Sequence, residues 1–229
     1  MMYKLITRRQ RNRWLMVAVG LVVFSVAICW ADRPNIGSFT DARDGRTYRT
    51  VVIGGKTWMA ENLNFGIADS SWCYNNEPAN CEKYGRLYTW DAAMSACPAG
   101  WRLFDLTDWY RLARAIGGRR VTPKLGAIHL HYFGATQWED IATKLKSQSG
   151  WNNCNGDNNN GTDDFGLSAL PGGVRDVEFG FVSAGVFSYW WTAEDVYWDN
   201  AAFFVRIASV NVFEEITNKN AGLYVRCVR

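Results

Sequence analysis

Gly222-Leu-Tyr-Val-Arg-Cys-Val-Arg229 decides how the rest of the chain is read. Leu223, Val225 and Cys227 alternate with Tyr224, Arg226 and Val228, the period of two that a β-strand imposes on its faces. The segment is expected to be a final β-strand. A cysteine locked into that strand suggests a fold stapled shut at its own terminus, and such staples belong to oxidising compartments.

The other end agrees with that compartment. Lys4, Arg8, Arg9, Arg11 and Arg13 form a basic region without an acid, and Trp14 to Cys29 is an apolar run. Cys29 and Ala31 then place small side chains three and one residues before Asp32. Residues 1–31 therefore read as a secretory signal peptide. Two alternatives stay open: a retained N-terminal membrane anchor, since about 16 to 18 apolar residues approach the spanning minimum, and a lipoprotein signal with Cys29 as the lipidated residue. All three place the bulk of the chain outside the cytoplasm: secreted, periplasmic or on the outer surface. Five of the 25 cations lie in this region, leaving 20 against 22 acids from Asp32 onward, a net of −2. The basic balance of the whole chain thus belongs to its first residues. Nothing here favours nucleic acid as a partner, and membrane contact is expected only through the N-terminal segment.

Residues 32–40 read as a linker with Pro34 and Gly37, and 41–229 as one domain, about 190 residues being enough for a single sizeable core. In Asp41 to Leu63 the pairs Asp44-Gly45 and Gly54-Gly55 mark turns, with Thr47–Ile53 and Lys56–Leu63 as hairpin strands. Helices are expected over Thr89–Ala96, over Leu106–Ile116 with Thr107 as its cap, and more weakly over Gln137–Lys146. After Gly150 the pattern changes to short strands and polar turns. The class is α+β, a twisted antiparallel sheet with two to three helices.

Five cysteines follow the N-terminal segment: Cys73, Cys81, Cys97, Cys154 and Cys227. Cys73 and Cys81 flank a polar loop that a local bridge closes easily. Cys97 with Cys227 would close a loop of roughly 130 residues and contribute more. Cys154 is then left over as an idle thiol or an intermolecular bridge. A Cys97–Cys154 pairing stays open at this point.

Seven segments follow in order: Cys73-Tyr-Asn-Asn, Cys81-Glu-Lys-Tyr-Gly-Arg-Leu-Tyr-Thr-Trp90, Cys97-Pro-Ala-Gly-Trp101, Leu145-Lys-Ser-Gln-Ser-Gly-Trp151, Asn160-Gly-Thr-Asp-Asp-Phe-Gly-Leu-Ser-Ala-Leu-Pro-Gly-Gly173, Trp190-Trp-Thr-Ala-Glu194 and Tyr224-Val-Arg-Cys-Val228. Together they closely resemble the Fibrobacter succinogenes major paralogous domain, over almost everything after Thr40. The resemblance implies a disulfide-closed, C-type lectin-like fold, shared with sulfatase-modifying factors. In that fold a helix cysteine pairs with one in the last strand, which favours Cys97–Cys227. It also implies an exported, often lipid-anchored bacterial protein. Arg102-Leu103-Phe104 departs from the family's His-Leu-Pro, and Cys154 lies outside its pattern.

Chemistry is sparse. His129 and His131 would share a strand face, but a third metal ligand is not identifiable beside them. Gly166-Leu-Ser-Ala-Leu170 lacks the second glycine of a nucleophile elbow. The oxidising chemistry of sulfatase-modifying enzymes needs an active cysteine pair, which these cysteines do not supply. Asn152 to Asp164 is oxygen-rich; Ca²⁺ is the one cofactor considered, with Asp163 and Asp164 as ligands, against plain turn geometry. Tyr189-Trp-Trp191, Glu194, Tyr197 and Trp198 suggest sugar stacking by Trp190, Trp191 and Trp198 beside the Glu194 carboxylate, against core packing. The expected function is a non-catalytic extracytoplasmic binding or structural module for polysaccharide or envelope proteins. The alternative is an enzyme of unknown chemistry on a sulfatase-modifying-factor-like scaffold.

Overall fold

The structure is a computed structural model that describes residues 34–121, 136–153, 156–197 and 199–229. The expectations for residues 1–31, His129, His131, Cys154 and Trp198 fall outside these residues. The hairpin at the start forms where its turn residues require it. Strand β2 (Thr47–Ile53) pairs antiparallel with β3 (Lys56–Met59). Gly54 and Gly55 join them at φ of 61° and 77°, the left-handed pair that matches strand twist in a two-residue turn. Ile36–Thr40, expected as linker, is strand β1 and pairs along the outer edge of β2. Its Phe39 ring reaches Trp101 at 5.1 Å between centroids, an apolar contact that a free linker would forgo.

Four α-helices are present among the described residues. Helix α1 (Pro78–Tyr84) replaces the polar loop expected between Cys73 and Cys81. Pro78 stands at its first turn, where a missing N–H and a fixed φ favour initiation. Helix α2 (Trp90–Ala96) starts as expected, Thr89 Oγ1 accepting from Ala92 N. Helix α3 (Leu106–Ala115) is capped by Asp105 and not by Thr107: Asp105 accepts from Asp108 N while the Asp108 carboxylate accepts from Asp105 N. That reciprocal box satisfies two orphan donors, and Thr107 instead lies exposed inside the first turn. The helix expected over 137–146 shortens to α4 (Ala142–Leu145). Its first part is strand: Thr136 and Trp138 turn inward, and Asp140 at φ 69° separates the two.

Further short strands are β4 (Ser71–Trp72), β5 (Leu87–Tyr88), β6 (Arg102–Leu103), β7 (Arg119–Val121), β8 (Thr136–Glu139), β9 (Val174–Asp176) and β10 (Gly180–Val182). The longer β11 (Ser188–Val196), β12 (Ala201–Ile207) and β13 (Val212–Asn218) precede β14 (Leu223–Tyr224) and β15 (Cys227–Val228). The class is mixed α+β, but one expected sheet is two main ones. A five-stranded sheet runs β1-β2-β3-β15-β6, and an eight-stranded sheet runs β4-β5-β14-β11-β12-β13-β8-β7. β14 is parallel to β11, the one parallel pair among these ladders.

The terminal segment explains the division. It is two strands in two sheets, and every residue from Ala221 to Val228 is buried. Its alternation sorts side chains between two apolar clusters instead of between core and water. Leu223, Val225 and Cys227 enter the cluster around Trp191 and Trp101. Tyr224 and Val228 enter the cluster around Trp58, Trp109 and Trp190. Disulfides join Cys73 to Cys81 and Cys97 to Cys227. The second ties the C-terminus of α2 to a central strand of the five-stranded sheet. None of the helices among the described residues is long and apolar enough to cross a membrane.

Candidate functional site

The aromatic strip does not form a surface. Trp190 and Trp191 are 1% and 0% exposed. Trp190 Nε1 donates to Asn62 Oδ1 at 3.0 Å, and Trp191 Nε1 to Tyr88 O at 2.8 Å. The Arg226 guanidinium lies over the Trp190 ring, 4.8 Å from its centroid. Neither ring face is open to a sugar, so the stacking role expected for this pair is corrected to core packing. Strand β11 runs between the two apolar clusters, with Trp190 in one and Trp191 in the other. Glu194 is also turned inward: its Oε1 accepts from Leu106 N at 2.7 Å, and desolvation pushes its carboxyl up. Tyr197, just beyond, is exposed.

The Asp163 and Asp164 carboxylates are not gathered on one ion. Asp163 accepts from Ser168 N at 2.7 Å and from Ser168 Oγ at 2.5 Å, closing its own turn. Asp164 is exposed and lines an open cleft of about 490 Å³ beside Asp140. Among the described residues no group of three His, Cys, Asp or Glu side chains is placed to hold a metal. The polar stretch serves turn geometry at Asp163.

A groove lies elsewhere, where β2, the segment after β3 and α1 meet. Two depressions of about 310 Å³ each share Arg46, Asn64, Cys81 and Glu82 as walls. The Cys73–Cys81 bridge holds α1 against this wall, with its Cα atoms 4.8 Å apart. Gly85 ends the helix at φ 80°, and a Cβ there would come within 2.8 Å of Asn62 Cβ. Only glycine lets the chain turn this close to the groove floor. Arg86 follows directly.

Two ion pairs line the groove. Arg46 Nη2 donates to both Glu82 oxygens, at 2.7 and 2.8 Å. That bond draws the Glu82 carboxyl down and the Arg46 guanidinium up. Arg49 Nε donates to Glu61 Oε1 at 3.2 Å. The half-buried Arg86 guanidinium, beside Gly66, donates no hydrogen bond and enters no ion pair among the described residues. Asn62 and Ser168 form part of the floor. Beneath them, the wholly buried Arg226 donates to Asn62 Oδ1 (2.7 Å), Met59 O (3.0 Å), Leu167 O (2.8 Å) and Ser168 O (3.2 Å). Burial pushes its guanidinium down to about 9.

A second polar cluster spans α3 and the eight-stranded sheet. Glu214 accepts from Trp138 Nε1 at 2.5 Å and from Tyr110 Oη at 3.1 Å. Burial raises its carboxyl. Arg120 Nη2 donates to Tyr110 Oη and to Thr136 Oγ1. Every oxygen of Glu214 is thus engaged in joining α3, β8 and β13, which is a structural arrangement.

These positions make sense of the seven ordered segments. The cysteines form the two bridges, Leu145–Trp151 packs against Ala169 through Trp151 Nε1, and Tyr224–Val228 supplies Arg226 and Cys227. A family model described as the Fibrobacter succinogenes major domain matches residues 51–229. The chain belongs to that family. The family match begins within β2 and takes in both bridges and most of the groove. Searches of curated proteins and of solved structures find no match.

The groove residues were missed by the sequence reading. Glu82 and Arg86 lie inside a quoted segment, but nothing in that segment separates a groove wall from a solvated surface. The signals were indirect: Gly85 between a helix and Arg86, and Arg226 on an otherwise apolar terminal strand.

Proposed function

We propose that the domain is a non-catalytic, extracytoplasmic binding module with a C-type lectin-like fold, and that the paired-charge groove is its ligand site. The observation that carries the fold is the Cys97–Cys227 bridge. It joins a helix end to the last strand, between β3 and β6, as that fold requires. Two disulfides in one domain also support an oxidising compartment, which agrees with an N-terminal export segment, cleaved, retained or lipidated. Binding is favoured over catalysis by where the polar groups lie. Glu194 and Glu214, the carboxyls raised by burial, hold a helix and a strand together and line neither half of the groove. The groove instead offers amide, hydroxyl and guanidinium donors on rigid elements, which suits recognition of polysaccharide or of an envelope protein.

The test is a glycan array probed with the full chain in mild detergent, beside a pull-down against isolated envelope protein. Saturable binding to a glycan class, weakened by substitutions at Arg46 and Asn64, supports the module. Turnover of a bound glycan, or binding that ignores these residues, refutes it.

A further inference from the structure

We propose that the groove binds a carboxylate-bearing polysaccharide, with Arg86 as its anchoring residue. The inference rests on the binding-module reading above and narrows its ligand class.

Arg86 provides the first argument. A guanidinium carries five N–H donors in a planar fork that matches a carboxylate. That of Arg86 is half-buried in the groove wall, yet fills none of them from the protein among the described residues. A fork held in place with open donors is a ready carboxylate receptor.

The background charge points the same way. Arg46, Arg49, Lys83 and Arg86 line the two halves of the groove against Asp44, Glu61 and Glu82. Arg226 adds a further cation below the floor, and its four bonds all go to neutral oxygens. Over the two halves together that is four cations against three anions, with Arg226 as a fifth cation beneath the floor. On the domain as a whole, with its net of −2 from Asp32 onward, that is a local inversion of sign.

Arg46 offers a second carboxylate position. Its partner Glu82 is a 67% exposed side chain, and an exposed pair of this kind is worth at most about 1 kcal/mol. A ligand carboxylate can therefore take the place of Glu82 on the Arg46 fork. Arg46 and Arg86 both wall the outer half of the groove, so a chain bearing repeated carboxylates reaches both.

The remaining lining separates polysaccharide from acidic peptide. Asn64, Ser147 and Ser168 bring amide and hydroxyl groups, the partners that sugar hydroxyls use. Apolar lining comes from Ala60, Leu170 and Pro78 and from Tyr48 and Tyr84, whose rings are already packed into the two core clusters. A peptide gains most of its binding from apolar anchors in desolvated pockets, and the groove provides no such pocket.

The experiment is affinity electrophoresis of the full chain in mild detergent through gels containing polygalacturonate, an uncharged glucan or poly-glutamate, followed by titration calorimetry with oligogalacturonate. The expected result is retardation by polygalacturonate alone, weakening as salt rises. Arg86→Gln should lower affinity at least about tenfold, and Arg86→Lys should fall between. Both variants should keep the wild-type thermal midpoint, because the Arg86 side chain makes no hydrogen bond or ion pair among the described residues and its backbone bond to Leu63 O is kept. Unchanged affinity in Arg86→Gln overturns the inference, as does equal retardation by poly-glutamate. Retardation by the uncharged glucan alone overturns it while leaving the binding-module reading intact. No retardation by any polysaccharide, with no hit on the glycan array and no partner in the envelope pull-down, removes both.

Discussion

Replacing Cys97 and Cys227 together by alanine should destabilise the domain about twice as much as replacing Cys73 and Cys81. The two bridges span 130 and 8 residues of sequence. The loop-entropy relation gives about 5 kcal/mol for the larger and about 2.5 kcal/mol for the smaller. Alanine is the proper replacement, because Cys227 is buried in an apolar cluster and a serine hydroxyl there would add its own desolvation cost. For a domain of this size about 2.5 kcal/mol corresponds to a gap of roughly 5 to 10 °C in thermal midpoint. The assay is reversible thermal unfolding of the full chain and both double variants, followed by near-ultraviolet circular dichroism and supported by urea titration. Equal losses, or a greater loss at Cys73–Cys81, would refute the reasoning. Restraint of the unfolded chain would then not be the main contribution, and local packing of α1 would take its place.

Arg226→Met should lose at least about 3 kcal/mol in urea unfolding, since three backbone carbonyls lose their donor at about 1 to 3 kcal/mol each; wild-type stability would mean that relief of the buried charge outweighs those bonds. Asp105→Ala should cost about 1 kcal/mol by removing the α3 cap, while Thr107→Ala should change thermal stability by less than about 0.5 kcal/mol; the reverse order would return the cap to Thr107. Glu214 carries the pH prediction. Burial raises its folded carboxyl above the ordinary glutamate range, so the folded state holds more protons than the unfolded one just above that range. Stability should fall as pH rises through this window, and Glu214→Gln should flatten that fall in melts taken from pH 4 to 8. An unchanged slope in the variant would place the effect in other groups.

What the sequence discloses depends on whether a residue's neighbours are local. Thr47–Ile53, the Gly54-Gly55 turn and Thr89 as a cap are legible because turn geometry and capping act within a few residues. Thr136–Glu139 was expected as helix because Ile141 and Leu145 carry a helical spacing, whereas β13 supplies a strand edge that only the folded sheet provides. Thr107 was a sound cap by residue type; Asp105 wins because its partner Asp108 answers it. The tryptophan pair shows the limit for the site. Trp190 and Trp191 look equally suited to sugar or to core, and Asn62 and Tyr88, more than 100 residues away, decide for core. Arg86 is harder still, since its interest lies in the bonds it does not make, and no local pattern records a missing partner.

The placement of β14 and β15 governs when the domain can exist at all. β14 lies between β5 and β11, and β15 between β3 and β6. A chain made from its N-terminus holds the flanking strands of both sheets long before it holds the strands that join them. Until residue 228 has emerged, each sheet is split in two, both apolar clusters lack a wall, and Cys97 has no Cys227 to meet. Closure of both sheets therefore waits until residues 223–228 are in place. A chain without residues 222–229 lacks the strand that joins each sheet and the Cys227 half of the second bridge.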